Sequence, residues 1–359
     1  MNETLPIHGG QLQALAERFN IPVSEFVDFS ANINPEGPPP SVLSTLRASL
    51  DDMSVLTSYP DLRESDLKES VARYAGVLPQ QVVVANGFVP LLEAVLRILP
   101  IRSCLLPVPA FVEYRKALAR AQVTITPLPF APDSNFAYDI KALTDGEPDA
   151  ILLANPQNPS GVLCELETML GLIQMAAEKN IYVLIDEAFI DYEPKQSLVT
   201  YVDCFPNLIV FRSVTKFHGI PGLRVGYAAA NTRIARELHE SQAPWPITGL
   251  ASRAVIAALE DSEYATRTRV LNQRRRTELQ LQIETLGMYV YPSAANFLLF
   301  RLPAKLEPVG FWERLIREHR VVLRLCTNYE GLSPCHFRVA VKTDRENTYF
   351  VQNALRAVL

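Results

Sequence analysis

The sequence predicts an α/β protein in which a mostly parallel sheet is covered by helices on both faces. Three observations indicate this fold. Short apolar runs such as QVVV, DAILLA, IYVLI and NLIVF recur between residues 81 and 211. Amphipathic stretches that suit helices, such as LLEAVLRIL and LETMLGLIQMAAEKN, separate them. The apolar runs are continuous rather than alternating, as expected of strands that are buried on both faces of a parallel sheet.

A second, smaller α+β domain is predicted after this sheet. The long helical stretch RTRVLNQRRRTELQLQIETL is followed by short strand and helix patterns that continue to the C-terminus. We therefore expect residues 46–245 to form the large domain and residues 246–359 to form the small one. Residues 1–45 end in the Pro/Gly-rich connector NINPEGPPP and are expected to join the small domain.

The composition excludes several classes of function. The net charge of −5 gives no indication of a nucleic-acid partner. No apolar stretch reaches the roughly 18 residues of a membrane span, and the N-terminal residues lack the pattern of a secretory signal. The five cysteines are odd in number and scattered, as expected of free thiols in a reducing cytoplasm. The five histidines show no metal-ligand spacing, so we expect a cytoplasmic protein without a metal site.

Polar residues that follow the apolar runs are the candidates for chemistry, because ligands bind beyond the carboxyl ends of parallel strands. The segment Asn86-Gly87-Phe88-Val89-Pro90 follows QVVV and opens a helix, whose free N–H groups suit a phosphate. An ordinary strand-to-helix turn is the alternative. Asn158 lies in the rigid loop NPQNPSG and could bind a ring oxygen, although turn chemistry also explains it.

Two further strand ends carry charged side chains. Asp186 ends the run IYVLI, where a carboxylate needs a partner such as a pyridinium N–H; a helix cap or a metal ligand are the alternatives. Lys216 follows NLIVF and could form an imine, although a solvated surface lysine has the same pattern. Ser213, Thr215 and Arg224 suit a phosphate. Because all four features follow consecutive strands, they favour a site for pyridoxal 5′-phosphate (PLP).

These residues resemble the fold-type I PLP-dependent enzymes, and within them the histidinol-phosphate aminotransferase-like subgroup. The resemblance runs from His8 almost to the C-terminus. It is carried by HGG (8–10), DFSANINP (28–35), YPD (59–61), DEAFIDY (186–192), SVTKFHGIPGLRVGY (213–227), PW (244–245), ANFLL (295–299), CTNYEGL (326–332) and FRVAV (337–341). HGG, DFSANINP and DEAFID are most similar to the L-threonine O-3-phosphate decarboxylases of cobalamin biosynthesis. The resemblance implies a seven-stranded, mostly parallel sheet and a homodimer.

The resemblance also implies roles for individual residues. Lys216 would carry PLP as a Schiff base, Asp186 would pair with the ring nitrogen, and Asn158 with the ring hydroxyl. The remaining cofactor contacts would come from Gly87, Phe88, Val89, Phe111, Ser213, Thr215, Arg224 and, from the other subunit, Tyr59. The residues at the substrate end would be His8, Asn32, Tyr114, Arg324 and Arg338, with Arg338 clamping a carboxylate.

The expected activity is PLP-dependent decarboxylation of L-threonine O-3-phosphate to (R)-1-amino-2-propanol O-2-phosphate, which makes the chain a carboxy-lyase. Phe189 stands where aminotransferases of the subgroup usually have a tyrosine, and this favours the decarboxylase. An aminotransferase of the histidinol-phosphate type and a catalytically silent PLP-binding sensor are the alternatives. Phe88-Val89-Pro90 replaces the acidic and hydroxyl residues of the family, which changes the expected lining of the pocket.

Overall fold

A seven-stranded sheet forms the centre of the large domain in the computed structural model, which describes residues 5–359. In their order across the sheet, its strands are β2 (Val82–Ala85), β8 (Gly226–Ala229), β7 (Leu208–Ser213), β6 (Tyr182–Asp186), β5 (Ala150–Ala154), β3 (Ser103–Val108) and β4 (Thr124–Pro129). Neighbouring strands are parallel except around β8, which is antiparallel to both of its neighbours. The predicted fold class, an α/β protein with a mostly parallel seven-stranded sheet, is confirmed.

Helices cover both faces of this sheet. They are α2 (Pro40–Asp51), α3 (Ser54–Thr57), α4 (Ser65–Ala75), α5 (Phe88–Ile98), α6 (Val112–Arg120), α7 (Ile140–Thr144), α8 (Leu166–Glu178), α9 (Thr232–Ser241) and α10 (Gly249–Leu259). Successive residues of a strand point to opposite faces. Ile151 accordingly packs in one apolar cluster and Leu152 in the other. The apolar runs are continuous because both faces are buried.

The small domain contains a four-stranded antiparallel sheet. Its strands are β9 (Tyr289–Val290), β10 (Phe297–Arg301), β12 (Arg324–Leu325) and β13 (His336–Ala340). Its helices are α11 (Ser262–Thr285), α12 (Pro308–His319) and a C-terminal helix made of α13 (Asp344–Thr348), the π-helical turn Tyr349–Leu355 and α14 (Arg356–Val358). Short 3-10 helices occur at Val23–Glu25, Pro79–Gln81, Pro132–Ser134, Ile190–Tyr192, Pro194–Gln196, Val199–Tyr201 and Pro221–Leu223.

The N-terminal segment packs on the small domain. It contributes α1 (Leu12–Phe19) and β1 (Val27–Asp28), and β1 pairs in parallel with β11 (Val321–Val322). Phe19 and Phe29 lie in the same apolar cluster as Trp312. None of the helices within residues 5–359 combines the length and the apolarity that crossing a membrane requires.

The boundaries between the domains differ from those predicted. We assigned residues 246–359 to the small domain, but α10 packs against α2 and α4. Ile247, Ala254 and Val255 belong to the apolar cluster that covers one face of the large sheet, and so does Val42. The large domain therefore includes α2 from its first turn and extends through α10. This boundary could not be predicted from the sequence, because the apolar face of a helix can pack on the core of the large domain or on that of the small domain.

Candidate active site

A cavity of about 480 Å³ opens where β5, β6 and β7 end at their carboxyl termini. This volume is typical of a small-molecule site. Most of the predicted site residues line it, namely His8, Asn32, Gly87, Phe88, Val89, Phe111, Asn158, Asp186, Ser213, Thr215, Lys216, Arg224, Arg324 and Arg338. The fold thus brings together residues that are separated by more than three hundred positions in the chain.

Lys216 lies in the loop that follows β7, and the N-terminal segment supports this loop. The N–H of Asn34 donates to the Lys216 carbonyl oxygen at 3.0 Å. The Lys216 Nζ lies 5.2 Å from the centre of the Phe189 ring. Burial lowers the pKa of Lys216, and the charges of Arg224 and Arg338 lower it further against the opposing effect of Asp186. The lysine is therefore neutral more often than a surface lysine, as an amine must be to form an imine.

The Asp186 carboxylate is buried at the end of β6 and held by two donors. Its Oδ1 accepts from the Ala188 N–H at 2.9 Å, and its Oδ2 accepts from the Tyr114 hydroxyl at 2.6 Å. Burial raises the pKa of Asp186, while the charge of Lys216 and the two hydrogen bonds oppose the rise. A pyridinium N–H would supply the additional pairing that a buried carboxylate requires.

An anion seat lies at the N-terminus of α5. Gly87 precedes this helix with φ of 91°, and a Cβ atom there would lie 2.9 Å from the Arg224 Nη2. Only a glycine therefore fits the backbone and leaves room for the guanidinium group. The Ser213 and Thr215 hydroxyls lie 3.0 Å apart and line the same cavity. Hydroxyl donors, a guanidinium group and a helix N-terminus together fit the phosphate of PLP.

Arg338 projects from the small domain into the cavity. Its Nη1 donates to the Asn158 Oδ1 at 2.6 Å, and its Nη2 donates to the Ser30 carbonyl oxygen at 3.2 Å. Within residues 5–359 its buried Nε has no hydrogen-bond partner, and neither has the Asn32 Oδ1. Buried polar groups are normally paired, so these two atoms fit a site that is completed by a ligand. Because the Asn158 Oδ1 accepts from Arg338, its amide nitrogen could donate to the ring hydroxyl of PLP.

The N-terminal segment closes the substrate end of the cavity. Arg324 donates to the carbonyl oxygens of Pro6, at 3.3 Å, and Ile7, and its guanidinium group lies 5.2 Å from the centre of the Tyr329 ring. The His8 Nε2 lies 3.0 Å from the Glu113 Oε1. Burial lowers the pKa of His8, and the charge of Glu113 opposes this effect.

Two predicted residues lie outside the cavity. Tyr114 is buried, and its hydroxyl binds Asp186, so it does not lie at the substrate end, where we had placed it. It lies in the first turn of α6 and is not among the residues that line the cavity. Tyr59 is 80% exposed and stacks on Trp245, with ring centres 4.4 Å apart. It lies at the surface, away from the cavity of its own chain.

Three polar side chains that line the cavity were missed, namely those of Ser30, Glu113 and Tyr329. Each lies within or beside a segment that was singled out, but its own residue type gave no signal. A glutamate on a helix and a tyrosine in a loop most often face solvent. Only the tertiary structure shows that Glu113 meets His8 and that Tyr329 lies under Arg324.

Known proteins share both the sequence pattern and the fold. Residues 24–353 match the family described as aminotransferase class I and II. The chain is 32% identical to the threonine-phosphate decarboxylase of Salmonella typhimurium strain LT2 over 358 residues, which cover 98% of this chain and 96% of that protein. It is 31% identical to histidinol-phosphate aminotransferase 2 of Pseudomonas fluorescens strain Pf0-1 over 361 residues, which cover 98% and 94%.

A solved structure supports the same assignment. The histidinol-phosphate aminotransferase from Clostridium acetobutylicum superimposes with a TM-score of 0.85 at 28% identity, covering 92% of this chain and 98% of that one. The family match spans well over half of the chain, and the cavity fits the phosphate and ring of PLP. The chain therefore belongs to the class I and II aminotransferase family of PLP-dependent enzymes.

Proposed function

We propose that this enzyme decarboxylates L-threonine O-3-phosphate to (R)-1-amino-2-propanol O-2-phosphate, the carboxy-lyase step of cobalamin biosynthesis. The observation that carries the proposal is the charge of the cavity. Besides Lys216 and Arg224, which the cofactor would use, the cavity contains Arg324, Arg338 and His8. A substrate that carries both a carboxylate and a phosphate matches the two guanidinium groups, and the His8 imidazole could add a hydrogen bond. The 32% identity to the Salmonella typhimurium threonine-phosphate decarboxylase supports the same choice.

Arg338 is the group suited to hold the carboxylate. Its side chain is fixed by Asn158 and by the Ser30 carbonyl oxygen, and its free Nε faces no protein acceptor among the described residues. A guanidinium group held in this way binds a carboxylate with a defined orientation. The substrate phosphate would lie toward His8 and Arg324, at the end that the N-terminal segment closes.

Orientation of the substrate decides the reaction. When bound, PLP supplies an electron sink for a bond that breaks at the substrate Cα. The protein selects the bond by the way it orients the substrate: the bond to the carboxylate breaks in decarboxylation, and the bond to hydrogen breaks in transamination. Arg338 would orient the carboxylate. The Phe189 ring lies next to Lys216 and has no hydroxyl group that could donate to the hydroxyl of the cofactor ring.

A proton must be delivered to Cα after carbon dioxide leaves. Lys216 is the group suited to accept a proton from the substrate ammonium group and to give it to Cα, because it lines the cavity and its pKa is lowered.

The second candidate is an aminotransferase of the histidinol-phosphate type. The Pseudomonas fluorescens and Clostridium acetobutylicum relatives, at 31% and 28% identity, favour it. The two candidates differ in what they require of the substrate, because histidinol phosphate carries no carboxylate. Arg338 would then serve only the keto-acid half of the reaction.

The test is to supply the purified PLP-loaded protein with L-threonine O-3-phosphate and to measure carbon dioxide and amine together. A parallel reaction contains histidinol phosphate and 2-oxoglutarate, with glutamate as the measured product. We expect equal amounts of carbon dioxide and amine, and no glutamate. Formation of glutamate without carbon dioxide would contradict the decarboxylase proposal and support the aminotransferase. Neither product, with PLP still bound, would indicate the silent sensor.

We also propose that the enzyme works as a homodimer in the cytoplasm. Exposed apolar side chains cluster near Tyr59 in the sequence, among them Leu50, Met53 and Leu56. Covering them with a second copy would bury this surface and could bring Tyr59 to the anion seat of the other subunit. We expect light scattering to give twice the chain mass of 40.1 kDa, and Tyr59→Phe to weaken PLP binding. A mass of 40.1 kDa in solution would contradict the dimer.

A further inference from the structure

Tyr114 occupies a position that the proposed reaction does not explain. It lies in the first turn of α6, three residues after Phe111, and only 1% of its surface is exposed. Its hydroxyl donates to the Asp186 Oδ2 at 2.6 Å. We propose that Tyr114 is a positioning residue that orients the Asp186 carboxylate and sets its affinity for the proton on the cofactor ring nitrogen.

The two donors on Asp186 act on different oxygens. The Ala188 N–H holds Oδ1 at 2.9 Å, whereas the phenol holds Oδ2. Together they fix the plane of the carboxylate, because rotation about its Cβ–Cγ bond would break one of the two hydrogen bonds. Without the phenol, one oxygen of a buried carboxylate would lose its donor and the carboxylate could turn.

The phenol is itself held firmly. Its ring packs against Phe88, with ring centres 5.4 Å apart, and against Phe111, with ring centres 5.6 Å apart. Phe88 in turn packs edge-on against Phe211 at 5.1 Å. Tyr114 therefore connects the anion seat, the residue expected to stack on the cofactor ring and the carboxylate at the ring nitrogen. This packing also gives a physical reason for an aromatic residue at position 88.

The direction of the effect follows from the two protonation states. A phenol that donates to a carboxylate stabilises the charged form, whereas burial favours the protonated form. If the phenol is removed, the carboxylate binds a proton more tightly and draws it from the ring nitrogen. The ring is then a weaker electron sink. Because Tyr114 does not line the cavity, kcat should fall while KM stays unchanged.

The experiment uses Tyr114→Phe loaded with PLP that is labelled with ¹⁵N at the ring nitrogen. The wild-type protein should show the chemical shift of a protonated ring nitrogen, and the variant should move toward the neutral value. We expect kcat to fall about tenfold, which corresponds to about 1.4 kcal/mol. Tyr349→Phe is the matched control, because that hydroxyl donates to the His319 carbonyl oxygen at 3.0 Å in the small domain. Both readouts should be unchanged in the control.

Two further variants separate the proposal from a packing role. In an Asp186→Asn background, removal of the phenol should give no additional change in the nitrogen signal. Tyr114→His, whose ring can also donate, should recover part of the wild-type signal. A Tyr114→Phe protein that is less stable but has a wild-type nitrogen signal would overturn the proposal. The signal is recorded without substrate, so a failed decarboxylase assay would leave this result unaffected.

Discussion

Two clusters of buried charge begin at consecutive residues, Asp186 and Glu187, but differ in their partners. The front cluster, Asp186, Lys216 and Arg338, borders the cavity. The rear cluster, Glu187, Asp191 and Arg212, lies away from that cavity. In the rear cluster the Arg212 Nη2 lies 2.5 Å from the Asp191 Oδ1. Asp186 and Glu187 are consecutive residues, and backbone alternation at the end of β6 sends their side chains in different directions.

The difference shows that the charge of the partners and access to the cavity, rather than residue type, distinguish the active-site cluster from the structural cluster. Glu187 accepts from the Ser197 hydroxyl at 2.5 Å and from the Leu198 N–H at 2.7 Å. Asp191 also accepts from the Tyr74 hydroxyl at 2.8 Å. The Nε atoms of Arg212 and Arg338 both lack a hydrogen-bond partner among the described residues. Arg212 is paired with a carboxylate, that of Asp191, whereas Arg338 donates to neutral oxygens and borders the cavity. The front cluster should therefore control activity, and the rear cluster should control stability.

The largest effect should follow removal of the lysine of the front cluster. Lys216→Ala deletes the imine-forming amine and the proton carrier, so we expect kcat to fall by about 10⁴-fold. The absorbance of lysine-bound PLP should disappear from the spectrum. Lys195→Ala, in an exposed position beyond the rear cluster, is the control and should retain both. An unchanged spectrum in Lys216→Ala would contradict the assignment of Lys216 as the Schiff-base lysine.

Breaking the rear cluster should cost stability instead. Arg212→Gln leaves Asp191 and Glu187 buried without their cation, and removal of one partner from such a pair typically costs about 3–5 kcal/mol. Urea unfolding of the PLP-loaded protein measures this loss. At a temperature where the variant remains folded, kcat should be close to that of the wild type. A large loss of kcat in a stable variant would place Arg212 in the active site.

Arg338→Gln is the corresponding change in the front cluster. It removes the guanidinium fork but keeps a donor toward Asn158, so we expect a loss in kcat/KM of about 100-fold with little change in unfolding free energy. Assays with the amino acid and with the corresponding carboxylate-free amine separate binding of the carboxylate from general damage. Equal weakening of both ligands would show that Arg338 does not bind the carboxylate.

The sequence predicted the buried half of the sheet better than its edge. Runs such as Ala150–Ala154 are recognisable because both faces are apolar. The edge strand Thr124–Pro129 is largely exposed and contains two prolines, so it lacks such a run. The helix Gly249–Leu259 was assigned to the wrong core, since a pattern shows which face is buried but not the surface that covers it.

The candidate site shows a similar limit. Residues that follow strands, such as Asp186 and Lys216, could be predicted because parallel strands end at one edge of the sheet. The bond between Tyr114 and Asp186 joins residues 72 positions apart and depends on how α6 packs. Arg212 and Arg338 have the same residue type and similar burial, at 5% and 6% exposed, so only their partners separate them.

The last prediction concerns the pH dependence of the rear cluster. Burial raises the pKa of Glu187 from 4.5 to about 7, although the charge of Arg212 opposes the rise. Because the folded state binds this proton more tightly than the unfolded state, the stabilisation is present below pH 4.5 and is lost as the pH rises through about 7. Glu187→Gln cannot titrate, so its unfolding free energy should fall about 3 kcal/mol less than that of the wild type across this range. Glu93→Gln, which changes a carboxylate on the surface, is the control and should follow the wild-type profile. Parallel profiles for the wild type and Glu187→Gln would mean that Glu187 stays charged throughout, held by Arg212 more strongly than burial opposes it.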